Sequence, residues 1–366
     1  MKIKISLIIF HFILLIFTKR LFSQNNYQNW TSFTYYYGFV IPHHPYLHRL
    51  VRHHAQTFEF QWGYHTSGKQ YWHHRFRFPL YSFSILYTYL GPDQDLGNAI
   101  TLSPNMYLPL QKNNRLNHYM RLSYGIGYIS KRFDRIENFK NLAIGSHLNV
   151  FVQLSYLIQI NVSKNQKLLT GIGFYHYSNG SFKTPNLGIN LPNIKIEYQF
   201  HFKKRNDSYS SPLNINEKDS TFHYEVYAGF FLKETYPLFG PKYGVITAGL
   251  HIIQPVSFKS SFGIGLDCMY DLSNIAFVEK KKGQKATFTD ILRSGFAGDY
   301  ILSAGPWQFF FSTGLYWHNQ YFKNQFLYTR TGLGYKPSSC WILRFLVKSH
   351  FFVADYFELS LVKILK

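Results

Sequence analysis

Two side chains in this sequence have types and spacing that could do chemistry together: His176 and Ser178. An imidazole can take the proton of a neighbouring hydroxyl, which makes serine a nucleophile for acyl transfer. The pair closes a segment, Leu168 to Ser178, in which alternate residues share a face. Leu168, Thr170, Ile172 and Phe174 form its apolar side, and His176 and Ser178 continue that side at the end. Gly171 and Gly173 on the opposite side suit a crowded interior. Polar groups that continue a lipid-facing stripe are costly unless they find partners or a task. Acyl transfer also needs donors for the oxyanion that develops on the carbonyl. Asn179, Gly180 and Asn186 follow closely enough to supply them. Taken alone, a His-x-Ser pair is more often a pair of polar residues at a strand end.

The elements that must hold this pair are strands. Leu148 to Val162 places Leu148, Val150, Val152, Leu154, Tyr156, Ile158, Ile160 and Val162 on one face. Its other face includes Asn149, Gln153, Ser155, Gln159 and Asn161. Asn193 to Phe202 and Tyr119 to Tyr128 repeat the pattern, with Arg121, Lys195 and Glu197 on their polar sides. Period two is the mark of a strand, and segments of about ten residues suffice to cross a bilayer at a tilt. Soluble sandwich strands are usually nearer five or six residues. The expectation is therefore an all-β, antiparallel, transmembrane outer-membrane barrel, with apolar residues toward lipid and polar residues in the lumen.

Composition agrees. Only 16% of the 366 residues are charged, while 20% are aromatic; soluble domains carry about a quarter charged residues. A mean hydropathy of −0.18 excludes a bundle of membrane helices, and after the N-terminus no run of 18 apolar residues occurs. The net charge of +21 is spread along the chain. Without a nucleic-acid-binding signature, it points to phosphate-bearing lipid and not to nucleic acid. Lys2, Lys4 and the apolar run Ile5 to Phe17 resemble an export signal, with cleavage expected after Ser23. Cys268 and Cys340 are too few for a disulfide framework and could be paired or free. His43, His44, His48, His53, His54, His73 and His74 make the early region histidine-rich, but their spacing matches no strong metal-ligand pattern. Headgroup-level or lumen-facing roles are expected for them, with no metal and no cofactor.

Strand-like stretches number roughly 12 to 16. A polar stretch, Lys203 to Ser220, interrupts them, and the same alternation resumes afterwards. The simplest organisation is an export signal over 1–23, strands carrying the His-x-Ser pair over 24–204, a linker over 205–220 and further strands of the same barrel over 221–366. The lysine-rich run Glu279 to Lys285 is expected to be a solvated loop or headgroup contact.

The string His176-Tyr177-Ser178-Asn179-Gly180, followed by Lys183, Pro185-Asn186 and Gly188-Ile189, resembles the lipid A 3-O-deacylase family, also described as acyloxyacyl hydrolase-like. About fifteen residues match closely, and the strands from Trp30 to Lys204 are compatible with the eight-stranded barrel of that family. The part from about Thr221 onward has no counterpart in its small members. The resemblance implies an esterase of the outer membrane of a Gram-negative bacterium, acting on an acyl chain of lipid A within lipopolysaccharide. Ser178 is then the nucleophile, His176 the general base, and Asn186 with the backbone near Gly180 the oxyanion donors. The family carries a Glu directly after Gly-Ile; this chain has Asn190. An amide can orient an imidazole but cannot neutralise its protonated form, so Asn190 implies weakened catalysis. Glu197, Asp355 and Glu358 are the other acids weighed for that role. The competing expectation is a non-catalytic pore or structural barrel that retains the hairpin.

Overall fold

The computed structural model describes residues 29–51, 53–91, 95–112, 116–202, 221–235, 238–320, 325–351 and 353–366. The export signal and the 205–220 linker expected from the sequence lie outside these residues. The first eight strands are β1 (Asn29–Phe39), β2 (His54–His65), β3 (Leu80–Tyr89), β4 (Asn98–Lys112), β5 (Leu116–Ile129), β6 (Leu148–Asn161), β7 (Gln166–Ser178) and β8 (Ile189–His201). They close into an antiparallel barrel, because β8 returns to pair with β1, with Trp30 opposite His201 and Gly38 opposite Asn193.

Eight more strands follow: β9 (His223–Glu234), β10 (Lys242–Pro255), β11 (Ser260–Asp271), β12 (Leu292–Ala304), β13 (Trp307–His318), β14 (Leu327–Tyr335), β15 (Trp341–His350) and β16 (Val353–Leu365). They close separately through β16 against β9, Leu359 opposite Phe230. The expected single barrel is thus two barrels of eight strands. Alternation reports the faces and length of a strand, but not which edge it meets, so one sixteen-stranded barrel and two of eight read alike in sequence.

Eight strands enclose a space that side chains fill, and both lumens are filled. In the first barrel the buried Arg121 guanidinium pairs with Glu59 and donates to Asn105 Oδ1 at 2.9 Å. Tyr107 OH donates to Glu197 Oε1 at 3.0 Å, and Lys195 lies 3.3 Å from Glu197 Oε2. In the second, Arg330 bridges Asp267 at 2.9 Å and Glu358 at 2.5 Å. Lys233 bridges Asp271 and Asp355, each at 2.6 Å. Charges buried in pairs satisfy the polar faces that the alternation places inward. Outward residues such as Phe33, Ile172, Ile194, Phe296 and Leu361 are exposed, as a lipid-facing surface requires.

Among the described residues, three short α-helices interrupt the strands: α1 (Tyr71–Arg75), α2 (Asn274–Lys282) and α3 (Phe288–Ile291). The lysine-rich run expected to be a loop therefore begins inside α2. Both cysteines are free and exposed.

Candidate active site

Strand β7 carries the pair to the end of the first barrel that bears the loops following odd-numbered strands. Tyr175 and Tyr177 point into the lumen, where their hydroxyls meet Thr57 at 2.5 Å and Thr101 at 2.9 Å. His176 and Ser178 consequently face outward, as the alternation indicates. The stripe below them is lipid-facing: Ile172 and its cross-strand partner Ile194 are 63% and 61% exposed. Ser178 itself is only 6% exposed, so its hydroxyl lies beneath the local structure and not open on the barrel wall.

Register explains how Asn190 reaches the imidazole. His176 on β7 lies directly opposite Asn190 on β8, and cross-strand neighbours of this kind bring side chains into contact. His176 Nδ1 is 2.5 Å from Asn190 Oδ1. Since Oδ1 can only accept, Nδ1 carries the proton and Nε2 is left with its lone pair. No hydrogen bond joins Ser178 Oγ to Nε2 among the described residues; such contacts commonly tighten only when substrate binds. None of the alternative acids reaches the ring. Glu197 is engaged in the first lumen, and Asp355 and Glu358 in the second.

The loop 179–188 closes over this pair. Asn179 N–H donates to Asn186 Oδ1 at 3.0 Å, which fixes the Asn186 amide. Its other end, Asn186 Nδ2, is a buried donor with no partner among the described residues, and such orphans are rare. Asn179, expected among the oxyanion donors, is otherwise used: Nδ2 donates to Ser146 Oγ at 2.7 Å and Oδ1 accepts from Lys183 N–H at 3.3 Å. It builds the loop instead. Gly188, at φ +83°, lies so close that a Cβ there would stand 2.7 Å from His176 Cε1. Glycine is required both by that conformation and by the close approach.

Two neighbours that the sequence did not reveal complete the site. His43, from the loop between β1 and β2, is 3.1 Å from Asn190 Nδ2 through its Nδ1 and 3.0 Å from Leu187 O through its Nε2. The second barrel braces the loop from outside. Glu234 accepts from Thr184 Oγ1 at 2.9 Å, and its own N–H donates to Ser181 O at 2.8 Å. Lys242 Nζ donates to Phe182 O, and Phe357 lies where a Cβ on Gly180 would have to go. Nothing in local sequence marks these residues, because each comes from a distant loop or from the other barrel. The remaining early histidines disperse: His44 accepts from Tyr46 N–H, His54 stacks on Tyr37, and His73 and His74 lie in α1.

Cations gather beside the loop. Lys183 sits over the Phe239 ring at 5.2 Å, Arg135 over the same ring at 4.8 Å, and Lys242 over Phe182 at 4.1 Å. Partial burial, then Arg132, holds the Lys183 ammonium below its usual range; Lys242 adds to this and Glu234 opposes it.

Comparison with known proteins divides the chain at the same place as the fold. A model described as lipid A 3-O-deacylase (PagL) matches residues 56–199, and one described as acyloxyacyl hydrolase, C-terminal domain, matches 222–362. The second match supplies the counterpart that the sequence beyond Thr221 lacked. No curated protein sequence matches the chain. Among solved structures, the Neisserial surface protein A is 8% identical with a TM-score of 0.35, covering 48% of this chain and 97% of its own. The outer membrane enzyme PagL is 16% identical with a TM-score of 0.34, covering 45% of this chain and 97% of its own.

Proposed function

The chain belongs to the lipid A 3-O-deacylase family of the Gram-negative outer membrane, and from that premise we propose that it is a serine esterase that removes an ester-linked acyl chain from lipid A, with Ser178 as nucleophile and His176 as general base. The observation that carries this reading is the oriented imidazole: Nδ1 is bonded to Asn190 Oδ1 at 2.5 Å, which leaves Nε2 free to accept a proton.

The substrate enters from the membrane. Its acyl chain lies along the exposed stripe of Ile172, Phe174 and Ile194 below the site. Its phosphates meet Lys183, Arg135 and Lys242 above, where a second negative charge relieves the crowding of cations. Ser178 Oγ attacks the acyl carbonyl as its proton passes to His176 Nε2. The carbonyl oxygen becomes an oxyanion, and the unpaired Asn186 Nδ2 with the backbone near Gly180 supplies its donors. Collapse breaks the acyl–oxygen bond, and the sugar oxygen leaves with the proton from Nε2. Water then attacks the acyl-enzyme by the reverse route, releasing the fatty acid and restoring Ser178. Asn190 keeps the ring oriented through both halves but lends no negative charge to the imidazolium.

The filled lumens favour this reading over a pore, since Arg121 and Arg330 are buried in ion pairs within them. Purified protein in detergent with lipid A, and mass spectrometry of the products, tests the proposal. Loss of one acyl chain is expected from the native protein and none from Ser178→Ala. Equal release by both would overturn it.

A further inference from the structure

An amide in the orienting position raises a problem that a carboxylate does not. Both oxygens of a carboxylate accept, so turning it over changes nothing. Turning over Asn190 would aim Nδ2 at His176 Nδ1. The ring would then have to accept there and carry its proton on Nε2, where it could not receive the proton of Ser178. The two orientations of an amide have almost the same shape, so packing discriminates poorly between them. Some hydrogen-bonding group must choose.

Building on the esterase reading of the site, we propose that His43 is a positioning residue that holds the Asn190 amide with Oδ1 toward His176. Three contacts define the His43 tautomer. Nε2 is 3.0 Å from Leu187 O, and Nδ1 is 3.1 Å from Asn190 Nδ2 and 3.2 Å from Ile41 O. With the proton on Nε2, the ring donates to Leu187 O and accepts from Asn190 Nδ2. With the proton on Nδ1, the ring gains only Ile41 O, sets a lone pair against Leu187 O and confronts the amide N–H with another N–H. The Nε2–H tautomer therefore satisfies two contacts and the other satisfies one. Leu187 immediately precedes the glycine that packs on His176, so one histidine sets both the amide and the loop edge beside the base.

Consequently the chain Leu187 O, His43, Asn190, His176 is ordered in one direction. Each donor is set by the acceptor beyond it, and the result is a lone pair at His176 Nε2. His43 lies 147 residues from Asn190 in sequence and does not touch the reacting atoms.

The test compares His43→Ala in two backgrounds, native and Asn190→Asp, using full-length protein in detergent with lipid A. In the native background kcat is expected to fall ~10-fold with KM nearly unchanged, less than the ~10²–10⁴ that a general base contributes, because the base itself is retained. In the Asn190→Asp background, where either oxygen accepts, the same substitution is expected to change kcat less than about twofold. Nitrogen-15 NMR of the His176 ring gives a second readout: the Nδ1–H tautomer in the native protein, a mixture in His43→Ala and Nδ1–H again in the double variant. An equal loss in both backgrounds, or an unchanged tautomer in His43→Ala, would overturn the proposal. Heat-modifiable gel migration shows that each variant keeps its closed barrels. Should the native protein release no acyl chain, the esterase reading falls, and the tautomer measurement still decides the role of His43.

Discussion

Replacing a carboxylate with an amide beside a catalytic imidazole removes charge and retains direction. Asn190 accepts from His176 Nδ1 at 2.5 Å, but a protonated ring beside it is not neutralised. In a serine protease the acid-to-amide exchange lowers turnover about 10⁴-fold, largely through the wrong tautomer. Here His43 supplies the correct tautomer, so only part of that loss should remain. Asn190→Asp, nearly the same shape, should raise kcat several-fold to roughly tenfold, about 1 kcal/mol of barrier. Unchanged or lower turnover would show that the missing charge costs this site nothing. Gly188→Ala tests the opposite face of the ring. Its Cβ would meet His176 Cε1 at 2.7 Å in a left-handed backbone, so kcat should drop at least ~10-fold while the barrels stay closed. At this scale the sequence was partly legible. Alternation placed His176 and Ser178 on one outward stripe, and the family-like hairpin singled out Asn186 and Asn190. His43 was one of several early histidines with no distinguishing pattern, because its role depends on where a long loop folds back.

Loops set what the strands leave open. The 179–188 loop is pinned on one side by the 130–147 loop, where Leu187 N–H donates to Leu142 O at 3.2 Å and Gly188 N–H to Ala143 O at 2.9 Å. On the other side it is pinned by the hairpin between β9 and β10, chiefly through Glu234. That carboxylate accepts from both Thr184 Oγ1 and Phe239 N–H, while Lys242 lies 3.4 Å away. Glu234→Ala removes these acceptors at once and leaves the strand pairing of both barrels untouched. Turnover should fall about threefold to tenfold as the Asn186 donor loses its place, since small misplacements of catalytic groups cost this much or more. Normal turnover in Glu234→Ala would mean that the second barrel is not needed to hold the loop. Strands were legible because a period of two persists over ten or more residues. Short connecting helices were not: α2 spans only Asn274–Lys282 and has no apolar face to mark it, so its lysines read as a loop.

Two closures in one chain mean two hydrogen-bonded cylinders, each with its own buried ion pairs. Pairing of β1 with β8 and of β9 with β16 leaves no edge strand to share between them. The barrels instead touch through side chains, such as Tyr124 with Phe345 and Phe182 with Phe231, and at the 179–188 loop through Glu234 N–H to Ser181 O. Closure was the feature least legible in the sequence, since Trp30 facing His201 is a pairing over the whole length of the first barrel that no local pattern encodes. It has a thermodynamic consequence. Glu59→Gln strips the partner from the buried Arg121 guanidinium, and breaking one side of a buried pair costs about 3–5 kcal/mol. That cost falls on the first barrel alone. Asp267→Asn weakens the second alone, where Asp267 holds His251 and shares Arg330 with Glu358. Three of the six tryptophans lie in each half, Trp30, Trp62 and Trp72 against Trp307, Trp317 and Trp341, so denaturation in detergent followed by fluorescence sees both. Each substitution should bring forward one transition and leave the other in place. A single transition shifted equally by either substitution would show that these contacts weld the two cylinders into one cooperative unit, with the 179–188 loop held between them.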